Sequence, residues 1–231
     1  MKRAIFFLIA ALIMALIVQP NLHTLDTSQT RVPENTKTEP KTNDNIDIGF
    51  SESKAVICLD TSFVDESTNY TDEEKMSETE ISTQIVDTLG KYLEEADYNV
   101  IYSDQDELLN DQESISFAKK EKADYLISIQ MAYDIDASMQ GYSFFTHPNE
   151  ELIDLCNAIN EKLMSINYSQ FCGLDSDHYE NFLILQDPSI PTILIELGYL
   201  SNDNDYQNLT SASYQDRISK AIAEAILQQI Q

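Results

Sequence analysis

Basic side chains are scarce in this chain: 14 lysines and arginines face 40 aspartates and glutamates, a formal net charge of −26. A polyanion such as nucleic acid needs a positive stripe to dock on, so nucleic acid is excluded as the expected partner. Anionic lipid and anionic wall polymer are disfavoured on the same ground unless cations mediate, and the plainest role for the acid excess is a solvated surface. Cysteines are few as well. Cys58, Cys156 and Cys172 have no CxxC spacing, which argues against a thiolate zinc site and against a complete disulfide framework. Cys58 sits in an apolar run and is expected in the core; a Cys156–Cys172 bridge is conceivable, but free thiols are the expected state. No GxGxxG or phosphate-binding loop follows a strand-like segment, no GxSxG elbow occurs, and no internal repeat is present. Nucleotide cofactors and serine hydrolysis therefore have no support.

Hydrophobic residues make up 42% of the 231 residues, with 12 tyrosines and 9 phenylalanines, enough to bury one core of ordinary domain size. The front of the chain is different. Lys2 and Arg3 precede an unbroken apolar run from Ala4 to Val18 that has no polar face, the pattern of an export signal. Residues 1–20 therefore read as a signal peptide or signal anchor. No A-x-A cleavage site follows, and with its flanks the run could just span a bilayer, so an uncleaved anchor with Lys2 and Arg3 on the cytoplasmic side is preferred. Residues 21–53 are polar, without hydrophobic periodicity, and read as a flexible stalk. The folded part, residues 54–231, is then expected outside the membrane, anchored there or secreted to the wall.

In that part, Ala55–Leu59, Tyr98–Ser103, Asp124–Ile129, Gly141–Thr146, Asn181–Leu185 and Pro191–Leu197 read as strands. Met76–Ala96 carries Ile81, Ile85, Leu89 and Leu93 at four-residue spacing, and Ser114–Lys122, Glu150–Ile166 and Tyr214–Ile230 are likewise helical. Strands alternating with helices predict an α/β domain: a mostly parallel, twisted sheet of about six strands with helices on both faces.

Two segments are distinctive, ADYLISI at Ala123–Ile129 and ILIELGYLSNDND at Ile193–Asp205. VICLD at Val56–Asp60, KYLEEADYNVIYS at Lys91–Ser103 and Gly141 stand in matching order. Over residues 54–231 the chain resembles the zinc-dependent N-acetylmuramoyl-L-alanine amidases, which cut the amide joining muramic acid to the peptide stem of peptidoglycan. The resemblance implies a zinc held by a histidine after the first strand, a glutamate further on and a histidine ending the third strand. Such a zinc lowers the pKa of a bound water and polarises the scissile carbonyl, with a second glutamate as general base.

Carried onto this sequence, the first histidine position is Phe63 and the second is Gln130. A benzyl group cannot ligate zinc, and a neutral amide is a poor donor. Ser62 and Val64 also replace glycines of the resembled family. The metal-binding glutamate is retained as Glu78; Glu80 is a less suitable register, because it would misplace Leu89 and Leu93. The general-base position is retained as Glu196. Losing two strong donors forfeits on the order of 5 kcal/mol of a zinc site's affinity.

A catalytically inactive amidase-like domain is therefore expected, with no cofactor, binding peptidoglycan or a cell-envelope protein. The alternative is an active amidase with zinc in a remodelled site. Glu78 also suits a plain helix N-terminal acid, whereas a carboxylate in the apolar strand of Glu196 needs a sheet end or cleft. The two are expected to face one cleft, with one carboxyl shifted upward. Of the histidines, His23 belongs to the stalk, His147 and His178 are expected in loops, and only His178 is placed to reach the cleft.

Overall fold

A computed structural model describes residues 54–61, 76–103 and 109–230. The signal or anchor segment, the stalk, His23, Phe63 and its neighbours Ser62 and Val64 lie outside the described residues. No helix of the described residues is long and apolar enough to cross a membrane.

The elements are β1 (Val56–Thr61), α1 (Glu78–Glu95), β2 (Asn99–Tyr102), α2 (Asp111–Lys120), β3 (Tyr125–Ala132), β4 (Tyr142–Thr146), α3 (Glu150–Ser165), β5 (Phe171–Asp175), β6 (Thr192–Tyr199), α4 (Asp203–Leu209) and α5 (Ala212–Gln229). They build one six-stranded sheet in the order β2-β1-β3-β6-β4-β5. Its first four strands run parallel; β4 is antiparallel to β6, and β5 is parallel to β4. The expected mostly parallel α/β sheet is present. β3 and β6 sit at its centre, buried on both faces, which is why both read as nearly continuous apolar runs.

Strand alternation sorts the side chains onto two faces. Ile57, Leu59, Ile127, Ile129, Ile193, Ile195 and Phe144 point into the large core beneath α1, α3 and α5. Cys58, Leu126, Leu194 and Phe145 point the other way, into a smaller cluster under α2 that includes Ile115 and Ile184. Helix α1 buries its stripe of Ile81, Ile85, Leu89 and Leu93 completely. A capping box starts it: the Ser77 hydroxyl accepts from the Glu80 N–H at 3.2 Å, and the Glu80 carboxylate accepts from the Ser77 N–H at 2.8 Å.

One expectation is corrected here. Asn181–Leu185 is no strand but falls within two short 3-10 helices, Tyr179–Asn181 and Leu183–Leu185. Its Ile184 and Leu185 are buried, so the run is apolar because it roofs the smaller cluster, not because it joins the sheet. His147 lies in a loop, as expected, but is buried there: it is 6% exposed, and its Nε2 lies 2.6 Å from the Leu185 carbonyl oxygen. Strand β5 and helix α4 had no counterpart in the sequence reading.

Candidate functional site

The two glutamates at the start of α1 are engaged differently. Glu80 is committed to the Ser77 N–H. Glu78, the first residue of the helix, instead reaches the end of β3, where its Oε1 accepts from the Met131 N–H at 2.8 Å. On β3, Gln130 pairs with Glu196 of β6, and Glu196 pairs in turn with Ser143 of β4, which pairs with Gly173 of β5. Directly opposed residues share a face, so Gln130, Glu196, Ser143 and Gly173 form one row across the sheet, on the face of the smaller cluster.

Burial pushes the Glu196 carboxyl from 4.5 up to about 7, and the negative charge of Glu78 adds to the shift. The structure thus brings the two glutamates within electrostatic reach at one sheet end, as expected. Gln130 is tied from behind. Its Nε2 donates to the Ser128 hydroxyl at 3.3 Å, and that hydroxyl donates to Asp60 at 2.7 Å. Asp60 also accepts from the Ser103 hydroxyl at 2.5 Å and is 2% exposed. Burial pushes its carboxyl from 3.8 to about 6, against the pull of the serine hydroxyls.

Toward β5 the row opens into a cavity of about 460 Å³, lined by Ser143, Phe145, Cys172, Gly173 and the Asp175–His178 pair among others. Gly173 has φ +142°, and a Cβ there would meet nothing within 4 Å, so bare backbone faces open space. His178 does stand beside this cavity, exposed, with its Nδ1 2.9 Å from Asp175 Oδ2; that bond raises the imidazole's pKa. All three cysteines are free, as expected: Cys58 and Cys156 are buried, and Cys172 is exposed. Desolvation, with Asp205 and Glu196 nearby, pushes the Cys172 thiol up, which keeps it protonated and a poor nucleophile.

The end of β6 is held by Asp205 of α4, 2% exposed, which accepts from the Gly141 N–H at 2.8 Å, the Tyr199 N–H at 3.0 Å and the Ser169 hydroxyl at 3.2 Å. Asn202 caps α4 through the N–H groups of Asn204 and Asp205. A Cβ at Gly198 would lie 3.2 Å from the Asp205 side chain. The run from Glu196 to Asp205 therefore ties the strand that carries the carboxylate to the start of β4.

The domain has known counterparts. The family profile described as N-acetylmuramoyl-L-alanine amidase matches residues 57–228. The chain belongs to this amidase family. A Bacillus subtilis protein, the uncharacterised YqiI, is 26% identical over 153 residues, 64% of this chain and 72% of that protein. Among solved structures, the catalytic domain of the amidase CwlV from Paenibacillus polymyxa superposes with a TM-score of 0.66 at 19% identity, covering 75% of this chain and 97% of that one. The CwlD amidase of Clostridioides difficile, solved in complex with the GerS lipoprotein, gives 0.63 at 23% identity over 76% and 98%. At these identities the likeness is one of fold.

Within this amidase domain the zinc donor set can be tested residue by residue. Glu78 offers a carboxylate already engaged by a backbone N–H, and Gln130 a neutral amide held by Ser128. Among the described residues no three His, Cys, Asp or Glu side chains converge as a metal site. Of the positions the resemblance assigns to zinc donors, the described residues thus present one carboxylate and one neutral amide, and the amide is a poor donor for that ion. Asp60 and Asp205 escaped the sequence reading. The partners of Asp60, Ser103 and Ser128, come from two segments distant from it in the chain; for Asp205, the signal was Asn202 ahead of two acids, a helix start.

Proposed function

We propose that this amidase domain is catalytically silent and works by binding outside the membrane, holding peptidoglycan or a cell-envelope protein in the cleft where its relatives cut. One observation carries the reading. Gln130, at the position where the resemblance implies a histidine, is bonded into the Ser128–Asp60 network and lies beside Glu196. Phe63 at the other histidine position points the same way by residue type. The CwlD amidase has been solved with a lipoprotein bound, which makes an envelope protein a reasonable partner for this domain too. The apolar run and stalk would keep it at the membrane or deliver it to the wall.

Metal analysis of the purified full-length chain, paired with dye release from labelled cell wall, is the test. Substoichiometric zinc, no dye release and co-sedimentation with purified peptidoglycan fit a wall-binding domain; without co-sedimentation they fit a protein partner. A second reading, an active amidase, is favoured by two features. Glu196 at about 7 is poised near neutrality, as a general base should be, and His178 offers an imidazole on the adjoining cavity. About one equivalent of zinc with wall solubilised would establish that reading instead.

A further inference from the structure

From Ala123 to the end of the chain the sequence has three basic residues, Lys162, Arg217 and Lys220, set among many acids. All three line one pocket. It has a volume of about 200 Å³ and lies between the last turn of α3 and the middle of α5. Helical spacing brings them there. Lys162, Ser165 and Ile166 follow i, i+3, i+4 along α3, and Arg217, Lys220, Ala221 and Glu224 follow i, i+3, i+4, i+7 along α5, so each set shares one side of its helix.

Two of the cations also serve the fold. An Arg217 Nη donates to the Ile166 carbonyl oxygen beyond α3, and its guanidinium lies 5.2 Å from the Tyr214 ring centroid. Lys162 pairs with Glu224 at 3.4 Å. Both contacts aim these side chains and leave most of their N–H donors unused. Lys220 is exposed, and none of the salt bridges described includes it. With Glu224 counted, the pocket carries two net positive charges on a chain of net charge −26.

We propose that this α3–α5 pocket binds a dianionic phosphate monoester. The charge of such a group matches the pocket's surplus, and its oxygens accept from a guanidinium fork and two ammonium groups at once. The volume admits the phosphate together with a small polyol esterified to it. The acid excess over the rest of the chain disfavours anions over most of its surface, which sets this pocket apart. A polyanion, repelled along its length, is not the ligand. The site is built from elements other than those carrying Gln130 and Glu196, so it holds whether the cleft is silent or active.

The test is isothermal titration calorimetry of the full-length chain, kept soluble in non-ionic detergent, with glycerol 1-phosphate as titrant at low ionic strength. One saturable site is expected. Lys220→Gln should weaken it by about tenfold or more, and Lys220→Arg should restore it to within about threefold. Lys91→Gln, outside the pocket, should leave it unchanged. Lys220 is exposed, so an unchanged melting temperature of the ligand-free variant would verify that the fold is intact. The proposal is overturned if glycerol 1-phosphate gives no saturable heat, if Lys220→Gln binds like the parent chain, if Lys91→Gln weakens binding equally, or if the diester glycerophosphoglycerol or acetate binds as tightly as the monoester.

Discussion

The two faces of the sheet are built to different standards. Under α1, α3 and α5 the side chains are apolar and wholly buried, from Ile57 and Ile129 to Phe144 and Leu89. On the opposite face a smaller apolar cluster gives way, toward the strand ends, to Asp60, Ser128, Gln130, Glu196 and Ser143. Buried carboxyls there are held above their ordinary pKa values, so that face gives up stability that the first one supplies. The difference separates the face that supplies the fold's stability from the face that carries its polar side chains.

The largest way to disturb that contrast is to rebuild the polar face. Phe63→His combined with Gln130→His should raise zinc affinity by on the order of 5 kcal/mol, read by competition with a chromogenic chelator. No gain would mean that the Ser128–Asp60 network leaves no room for an ion. On the apolar face, Leu89→Ala should lower unfolding free energy by about 3 kcal/mol, read from the denaturant midpoint, whereas Gln130→Ala should cost under about 1 kcal/mol.

Glu196→Gln should act with the opposite sign. Because the folded pKa is raised, the carboxyl's contribution is fully present below its ordinary 4.5 and is lost as pH rises through about 7. The variant should therefore be more stable than the parent at pH 8, by about 3 kcal/mol or less, and equal to it near pH 4 in thermal melts. Asp60, raised from 3.8 to about 6, should make the parent's own stability fall as pH rises between those two values. A small effect is expected at the start of α1. Ser77→Ala removes one half of the capping box and should cost about 1 kcal/mol, while shifting the NMR resonance of the Met131 amide that Glu78 holds.

The apolar face was legible in the sequence because its signal is periodic: the four-residue stripe of α1 and the runs in β1, β3 and β6 translate directly into burial. Asn181–Leu185 misled because a run of four apolar residues does not say whether it lies in a sheet or over one. Strand β5 was missed because FCGLD lacks both alternation and a continuous apolar run, as suits an edge. At the site, Glu78 and Glu196 were readable from their places beside helix and strand patterns. The burial of Asp60 was not, since the Ser103 and Ser128 hydroxyls that stabilise it meet only after β1, β2 and β3 have assembled.

Strand β5 has one more consequence. It is the outermost strand on its side, five residues long, its pairing with β4 slips between Tyr142 and Ser143, and Gly173 turns its backbone out of the extended range. A rim so short and bent offers an incoming chain no straight ladder to zip onto. That edge of the sheet is thereby guarded against pairing with a second copy of the domain.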